Sequence, residues 1–287
     1  MAAMNKLPNA RGFTWRETGG LPLLTADLLT TRHAFTGRRG GVSGGIWASL
    51  NLGERRGDDP TAVRENWRRL CAALALDETR LVYARQTHAA AVRIVGEADC
   101  HAPLAPVPYE GDGYVTNVPG IALAVFVADC VPVLLEEPRA GVIAAVHCGW
   151  RGTVGDILGS AAAAMRTLGA DPAEIRAAIG PGIGPCCFET GPEVPRAIAD
   201  LLGEADARPL CPPEPGVPGK YLPDLPGVCR ARLIQLGVRP EHIALSGLCT
   251  RCHADLFWSH RATQGQRGSQ LAIISLPGKE PDPCANF

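Results

Sequence analysis

The chain has no apolar stretch long enough to span a bilayer. Its longest, Ile121 to Leu135, contains Asp129 and Pro132, whereas a spanning helix needs about 20 apolar residues. It has almost no net charge, since 28 basic and 29 acidic residues leave −1. No strong field therefore invites nucleic acid or an anionic membrane surface. Lysine is nearly absent: Lys6, Lys220 and Lys279 stand alone, and arginine carries the remaining positive charge. That skew, with abundant Ala, Gly and Pro, looks like genomic base composition rather than function. No G-x-G-x-x-G follows a strand and opens a helix, and there is no P-loop. Both absences argue against a doubly wound nucleotide fold. Met1 to Glu17 lacks the continuous apolar core of a secretory leader. The expectation is a cytoplasmic protein with no membrane anchor, no nucleic-acid partner and no firm protein partner.

What is present is an ordinary globular composition, 46% apolar and 20% charged over 287 residues. No repeat and no convincing linker divides the chain, so one domain is expected over 1–287, with a loose lead-in at 1–15 and a tail at 277–287. The 11 cysteines are odd in number and lie in a long chain without a leader, which predicts mostly reduced thiols. Thr31 to Ser43 reads as a glycine- and arginine-rich loop. Asp59-Pro60 is a cap followed by proline at the first helical position. Val63, Trp67, Leu70, Cys71 and Leu74 then give that helix one apolar face. Strands are expected at Leu81–Arg85, Ala91–Val95, Gly113–Asn117, Ile121–Val127, Val131–Glu136, Val142–His147, Ile175–Ile179, Ile243–Ser246 and Leu271–Ser275. Several are continuous apolar runs, which predicts cover on both faces. Helices are expected near Thr153–Leu168, Pro192–Leu202 and Leu225–Leu236. Strands clustered mid-chain point to α+β with mixed sheets.

Three residues sit in tight local contexts: His88 in Gln86-Thr87-His88, Cys130 in Ala128-Asp129-Cys130, and His147 ahead of Cys148-Gly149-Trp150-Arg151-Gly152. Two imidazoles and one thiolate are the ligand set of an open zinc site, with a fourth position for water or substrate. The same Cys and a His could instead be a nucleophile–base pair. Taken singly, a lone His or a buried Cys is more often structural. His147 differs, because a strand delivers it into a loop whose glycines allow close approach and whose Arg suits an anion. Cys249-Thr250-Arg251-Cys252-His253 matches a haem-attachment pattern, but without a leader or an obvious axial partner it is not read so. As a zinc half-site it lacks a second C-x-x-C; as a redox dithiol it stays open. Of adjacent Cys186 and Cys187, one is expected to face the core and the other a cleft or solvent. Gly111-Asp112-Gly113 is a turn, either plain or exposing Asp112.

With these residues in place, the chain resembles the YfiH-like family, described variously as laccase-like multicopper polyphenol oxidases, purine nucleoside phosphorylases and peptidoglycan editing factors. The resemblance runs from about His33 to Leu276. It rests on Phe35-Thr36, Arg38, Gly40 to Ser43, Asn51-Leu52-Gly53, Gln86 and His88, Gly111 to Gly113, Ala128 to Cys130, His147 with Gly149 to Gly152, Gly180-Pro181, Ile183-Gly184, Cys187, Glu189, Cys249-Thr250 and Ser259 to Arg261. Cys148, Thr87 and His260 depart from the family pattern, where Ala, Val and Tyr are usual. The resemblance implies a single-domain, four-layer α/β/β/α fold with mixed sheets, like the cytotoxic-necrotizing-factor catalytic domain. It also implies a metal, usually zinc with copper possible, on His88, Cys130 and His147.

The activity implied is phosphorolysis of adenosine, inosine, guanosine and methylthioadenosine, plus adenosine deamination, with purine nucleoside and phosphate as the partners. By residue type, Arg38 and Arg151 suit a phosphate clamp. Ser43, Asn51 and Gln86 suit ribose or base, and Asp112 suits proton transfer. A second reading is a cysteine amidase editing peptidoglycan precursors, with Cys130 as nucleophile activated by His147 or His88. A third is a laccase-like copper oxidase. Against it, seven histidines, two already committed, are too few for a conventional trinuclear cluster. Met1, Met4 and Met165 do not lie beside the ligands. A purely structural metal site would gain nothing from the Gly-Trp-Arg-Gly that follows His147.

Overall fold

In the computed structural model, which describes residues 7–278, the N-terminal part is stranded earlier than its sequence suggests. β1 (Phe13–Thr18), β2 (Leu21–Ala26) and β3 (Arg32–Thr36) form an antiparallel meander. The strand β1 thus starts inside the stretch read as a lead-in, and the glycine-rich loop begins only after Thr36. The reading failed because Pro22 interrupts β2 and because β1 is an edge strand whose apolar residues only alternate. Then come α1 (Pro60–Ala73), β4 (Leu81–Val82), β5 (Val92–Ile94), β6 (Gly113–Thr116), β7 (Ala122–Val127), β8 (Val131–Glu137) and β9 (Val142–Cys148). As expected, Asp59 caps α1 by accepting from the Thr61 N–H, with Pro60 at the first position.

The helix expected at Thr153–Leu168 is broken into α2 (Trp150–Val154) and α3 (Ile157–Thr167). Asp156 sits between them with φ +63° and caps α3 through the Gly159 N–H. It also pairs with Arg232 at 2.6 Å. The chain finishes with β10 (Arg176–Ile179), α4 (Glu193–Leu202), α5 (Glu204–Ala207), α6 (Leu225–Gln235), β11 (Ile243–Leu245), α7 (His260–Thr263) and β12 (Gln270–Ser275). The tail expected at 277–287 falls almost wholly outside the described residues.

Two six-stranded mixed sheets result, ordered β1-β2-β3-β12-β7-β4 and β11-β10-β8-β9-β6-β5. Alternation of side chains along each strand sorts the core into three layers. Ala122 and Ala124 of β7, with Leu271 and Ile273 of β12, pack under Val63, Trp67, Leu70 and Cys71 of α1. Leu123 and Val125 of β7, with Ala272 and Ile274 of β12, face Leu134, Ile143 and Ala145 of the second sheet. The opposite face of that sheet, Val131, Val133, Ala144 and Val146 among others, packs on α3, α4 and α6. The fold is therefore α+β with four layers, α/β/β/α. The continuous apolar runs of β7, β8 and β9 follow, since both faces of each are buried.

This topology gathers one end of the second sheet. In it β6, β9 and β8 are neighbours. Gly113 pairs with Val146, Pro132 with His147 and Val131 with Cys148. Asp112, His147 and Cys130 thus leave three adjacent strands at the same edge. Two chain segments cross from the first sheet to the second there: residues 83–91 between β4 and β5, and residues 128–130 between β7 and β8.

Candidate active site

Asp112 organises the site. It is wholly buried just before β6. Its Oδ2 accepts from the Thr87 and Ala89 N–H groups at 3.0 and 3.2 Å, and its Oδ1 from the His88 N–H at 2.9 Å. Those bonds hold the turn in which His88 adopts φ +62°, a left-handed conformation uncommon outside glycine. The other partner of Oδ1 is His147, whose Nδ1–H donates at 2.8 Å. The Asp112 carbonyl also accepts the His147 N–H at 2.7 Å. With Nδ1 protonated and held by the carboxylate, Nε2 is the free ligand atom. One buried carboxylate therefore aims both imidazoles.

The donor atoms of His88, Cys130 and His147 all lie within 4.8 Å of one another. The two rings meet edge-on, with centroids 4.9 Å apart. His147 is buried, Cys130 partly exposed and His88 exposed, so one side of the group is open. Gly149 closes against it. A Cβ there would lie 3.0 Å from His88 Cδ2, 3.2 Å from Cys130 Sγ and 3.4 Å from His147 Cε1. The local Gly is thus explained by crowding rather than by backbone freedom, since its φ of −67° suits any residue.

Electrostatics favour a thiolate. Desolvation pushes the Cys130 thiol up, but the His147 charge and hydrogen bonds from both histidines outweigh it and bring the group down to about 6. Burial alone would depress His147; the Cys130 sulfur and Asp112 reverse this and lift it to about 9. The donor set fits a zinc-type ion. It has two imidazoles and a thiolate, one imidazole already oriented by a carboxylate, and an open side for a fourth ligand.

That open side is a cleft of about 300 Å³ between the ends of the two sheets, within the range of small-molecule sites. Ala105, Val107 and Phe126 supply an apolar wall; Arg55, Arg56, Arg85 and Arg267 supply charge. Arg85 pairs with Glu110 at 3.2 Å. Among the described residues, Arg56 and Arg267 pair with no carboxylate. Arg267 is 7% exposed, and its Nε has no hydrogen-bond partner. Burial first, and then the nearby Arg56 charge, push its guanidinium down to about 10. Asp129 and the Cys130 sulfur partly offset the Arg267 charge, and Glu54 also lines the cleft, but two guanidiniums without an ion-pair partner on one wall still suit an anion.

Of the residues singled out in the sequence, His88, Cys130, His147 and Asp112 come together. Gln86 lines the cleft, but both ends of its amide are engaged by the Phe126 main chain, at 2.8 and 2.6 Å. Arg38, Ser43, Asn51 and Arg151 are not on the cleft wall. Arg38 donates to the Ala48 and Ala254 carbonyls and lies over the Trp258 ring. Ser43 Oγ accepts from Asn66 at 2.9 Å. Asn51 is buried and ties Gly53, Asp58 and Ser269 together. It thereby holds the loops that bring Arg56 and Arg267 to the cleft. Arg151 stacks on its neighbour Trp150, 4.5 Å from the ring. Arg56 and Arg267 carried no motif in the sequence; the available signal was Gly57 and Gly268, the glycines that directly follow them in loops.

The family model for multi-copper polyphenol oxidoreductase laccase matches residues 32–277. The chain belongs to the YfiH-like family. It is similar to a purine nucleoside phosphorylase of Deinococcus radiodurans, 44% identical over 262 residues that cover 91% of this chain and 95% of that one. It is also similar to the purine nucleoside phosphorylase YlmD of Geobacillus stearothermophilus, 39% identical over 276 residues, 92% of this chain and 94% of the relative. The crystal structure of that YlmD superposes with a TM-score of 0.80 at 35% identity, covering 94% of this chain and 98% of the other. The Bacillus licheniformis protein YfiH superposes with a TM-score of 0.84 at 30% identity, covering 93% and 99%. The YfiH-like assignment accords with the four layers. Among the described residues no helix is long and apolar enough to cross a membrane.

Proposed function

We propose that the chain is a zinc-dependent purine nucleoside phosphorylase of the cytoplasm, acting on adenosine, inosine, guanosine and methylthioadenosine, with adenosine deaminase activity. The names carried by its relatives support the phosphorylase reading. The observation that carries it furthest is the cleft itself, whose wall combines the His88, Cys130 and His147 donor group, the guanidiniums of Arg56 and Arg267, and the apolar Ala105, Val107 and Phe126.

The residue roles follow from that arrangement. Arg56 and Arg267 bind phosphate, in place of Arg38 and Arg151, whose guanidiniums are engaged elsewhere. Phe126, with Val107 and Ala105, offers the purine an apolar face. Asp112 holds the proton on His147 Nδ1 and so keeps Nε2 directed at the site. It is a positioning residue and does not reach substrate. A zinc ion on His88, Cys130 and His147 would supply a Lewis acid in the cleft.

The test is purified protein with inosine and phosphate. Hypoxanthine should be released, and Cys130→Ala should abolish the release. No hypoxanthine from the wild type, indistinguishable from Cys130→Ala, ends the proposal. The deaminase part is read separately, as inosine formed from adenosine without phosphate.

One observation favours a second reading. The donor atoms of Cys130 and His147 lie within 4.8 Å of each other and His147 is hydrogen-bonded to Asp112, the order of nucleophile, base and orienting acid. A cysteine amidase acting on peptidoglycan precursors would use that series without an ion and survive chelation. A zinc enzyme would not. Copper would occupy the same three donors, and laccase activity would announce itself by an intense thiolate charge-transfer band.

A further inference from the structure

A second set of sulfurs lies behind the active-site loop. Cys186, Cys187, Cys249 and Cys252 place their Sγ atoms within 4.8 Å of one another. Cys252 Sγ is 3.5 Å from Cys186 Sγ and 3.5 Å from Cys187 Sγ. All four are free thiols. The half-site seen in the sequence at Cys249 and Cys252 therefore has its complement in the adjacent pair Cys186-Cys187, not in a second C-x-x-C. As expected, Cys186 is exposed and Cys187 packs half-buried against the core, yet both sulfurs reach the same cluster. They lie on a turn, where the Cys187 and Phe188 N–H groups both return to the Gly184 carbonyl, and the turn keeps the two sulfurs close.

We propose that Cys186, Cys187, Cys249 and Cys252 form a second metal site, a tetrahedral all-sulfur site for zinc(II). Bonds of about 2.3 Å in a ZnS4 tetrahedron put the sulfurs roughly 3.8 Å apart, close to the 3.5 Å observed. Cys252 is equidistant from two sulfurs, an arrangement that serves a shared ion better than any one disulfide. The Gly184 N–H points at Cys249 Sγ at 3.3 Å, a donor suited to a metal-bound thiolate. Arg261 supplies compensating charge nearby, donating to the Cys187 carbonyl at 3.2 Å. Cys186 and Cys252 are exposed, which gives an ion a way in.

The site clamps two turns that support the active-site loop. Gly182 bridges Cys249, and Ile183 N–H donates to the Asp129 carbonyl at 2.8 Å. Thr250 Oγ1 donates to Asp129 Oδ1 at 2.6 Å. Asp129 precedes Cys130, so an ion on the four sulfurs would brace the backbone of the active-site cysteine from outside the cleft.

The test is cobalt(II) titration of the reduced, metal-depleted full chain, alongside Cys186→Ser/Cys252→Ser and His147→Ala. The wild type should bind one equivalent more than Cys186→Ser/Cys252→Ser. That equivalent should carry the intense visible bands and the thiolate charge-transfer band of tetrahedral cobalt in sulfur. His147→Ala should keep them. Circular dichroism should show both variants folded. Three results would each overturn the proposal: equal stoichiometry in the wild type and the double variant, sulfur bands as intense in the double variant as in the wild type, or freshly purified protein lighter by two hydrogens through a disulfide at Cys252. Because the readout is a difference between two proteins, it stands whether or not the histidine-containing site binds metal.

Discussion

At the residue scale, most of the site turns on two side chains, Asp112 and Arg267. Asp112→Asn keeps the shape but removes the charge that holds His147 in one tautomer. Metal affinity should fall roughly 10- to 100-fold, measured by competition with a chromophoric chelator, and the melting temperature should fall too, because an amide offers one acceptor oxygen where both carboxylate oxygens take buried N–H donors. Arg267→Gln tests the anion site. Losing a hydrogen bond to a charged group costs about 1.5–3 kcal/mol, so KM for phosphate should rise roughly 10- to 100-fold. Adenosine deamination, which uses no phosphate, should keep its rate; an equal loss in both reactions would mean a structural role. His33 makes a pH prediction away from the site. Burial holds its pKa below the ordinary value, and Nε2 accepts the Ala26 N–H at 2.8 Å. The unfolded chain then binds a proton that the folded chain resists. This contribution is fully present above about pH 6.5, the ordinary histidine value, and is lost as pH falls below it. His33→Gln should show a shallower loss of stability between pH 7 and 5 by denaturant titration.

At the scale of elements, α1 is the cover of the first sheet. Trp67 is fully buried there, stacked on Tyr83 at 5.1 Å and edge-on to Phe126 at 6.1 Å. Trp67→Ala should cost about 3–5 kcal/mol, read by chemical denaturation. It should also weaken nucleoside binding, since Tyr83 and Phe126 line the cleft. The apolar spacing of Val63, Trp67, Leu70 and Cys71 made this helix legible. The inner strands β7, β8 and β9 were legible for the same reason, because burial on both faces leaves an unbroken run of Val, Ile, Leu and Ala. What was hidden depends on distant partners. The meander β1–β3 is held by pairing with β12, over 230 residues away in sequence, and no local pattern announces that. The break between α2 and α3 arises from Asp156 turning left-handed to meet Arg232, which the helical periodicity across it conceals.

At the scale of the whole molecule, the grouping of His88, Cys130 and His147 was legible because each sits in a short, unusual context. The anion site was not, because Arg56 and Arg267 are lone arginines separated by most of the chain. Their meeting is a product of topology, with Asn51 joining the two loops. The position of the ligands has a mechanical meaning. His88 and Cys130 lie on the two chain crossings between the sheets, whereas His147 belongs to the interior of one sheet. An ion shared by all three is a rivet through the layers, resisting the slide of one sheet over the other. Removing it with a chelator should therefore speed amide exchange at 83–91 and 128–130 and leave the protected centres of β8 and β9 unchanged. Equal acceleration throughout would mean that the ion holds up the entire fold, not just this seam. If only the seam loosens, the ion proposed for the chemistry is also the fastener of the two chain crossings.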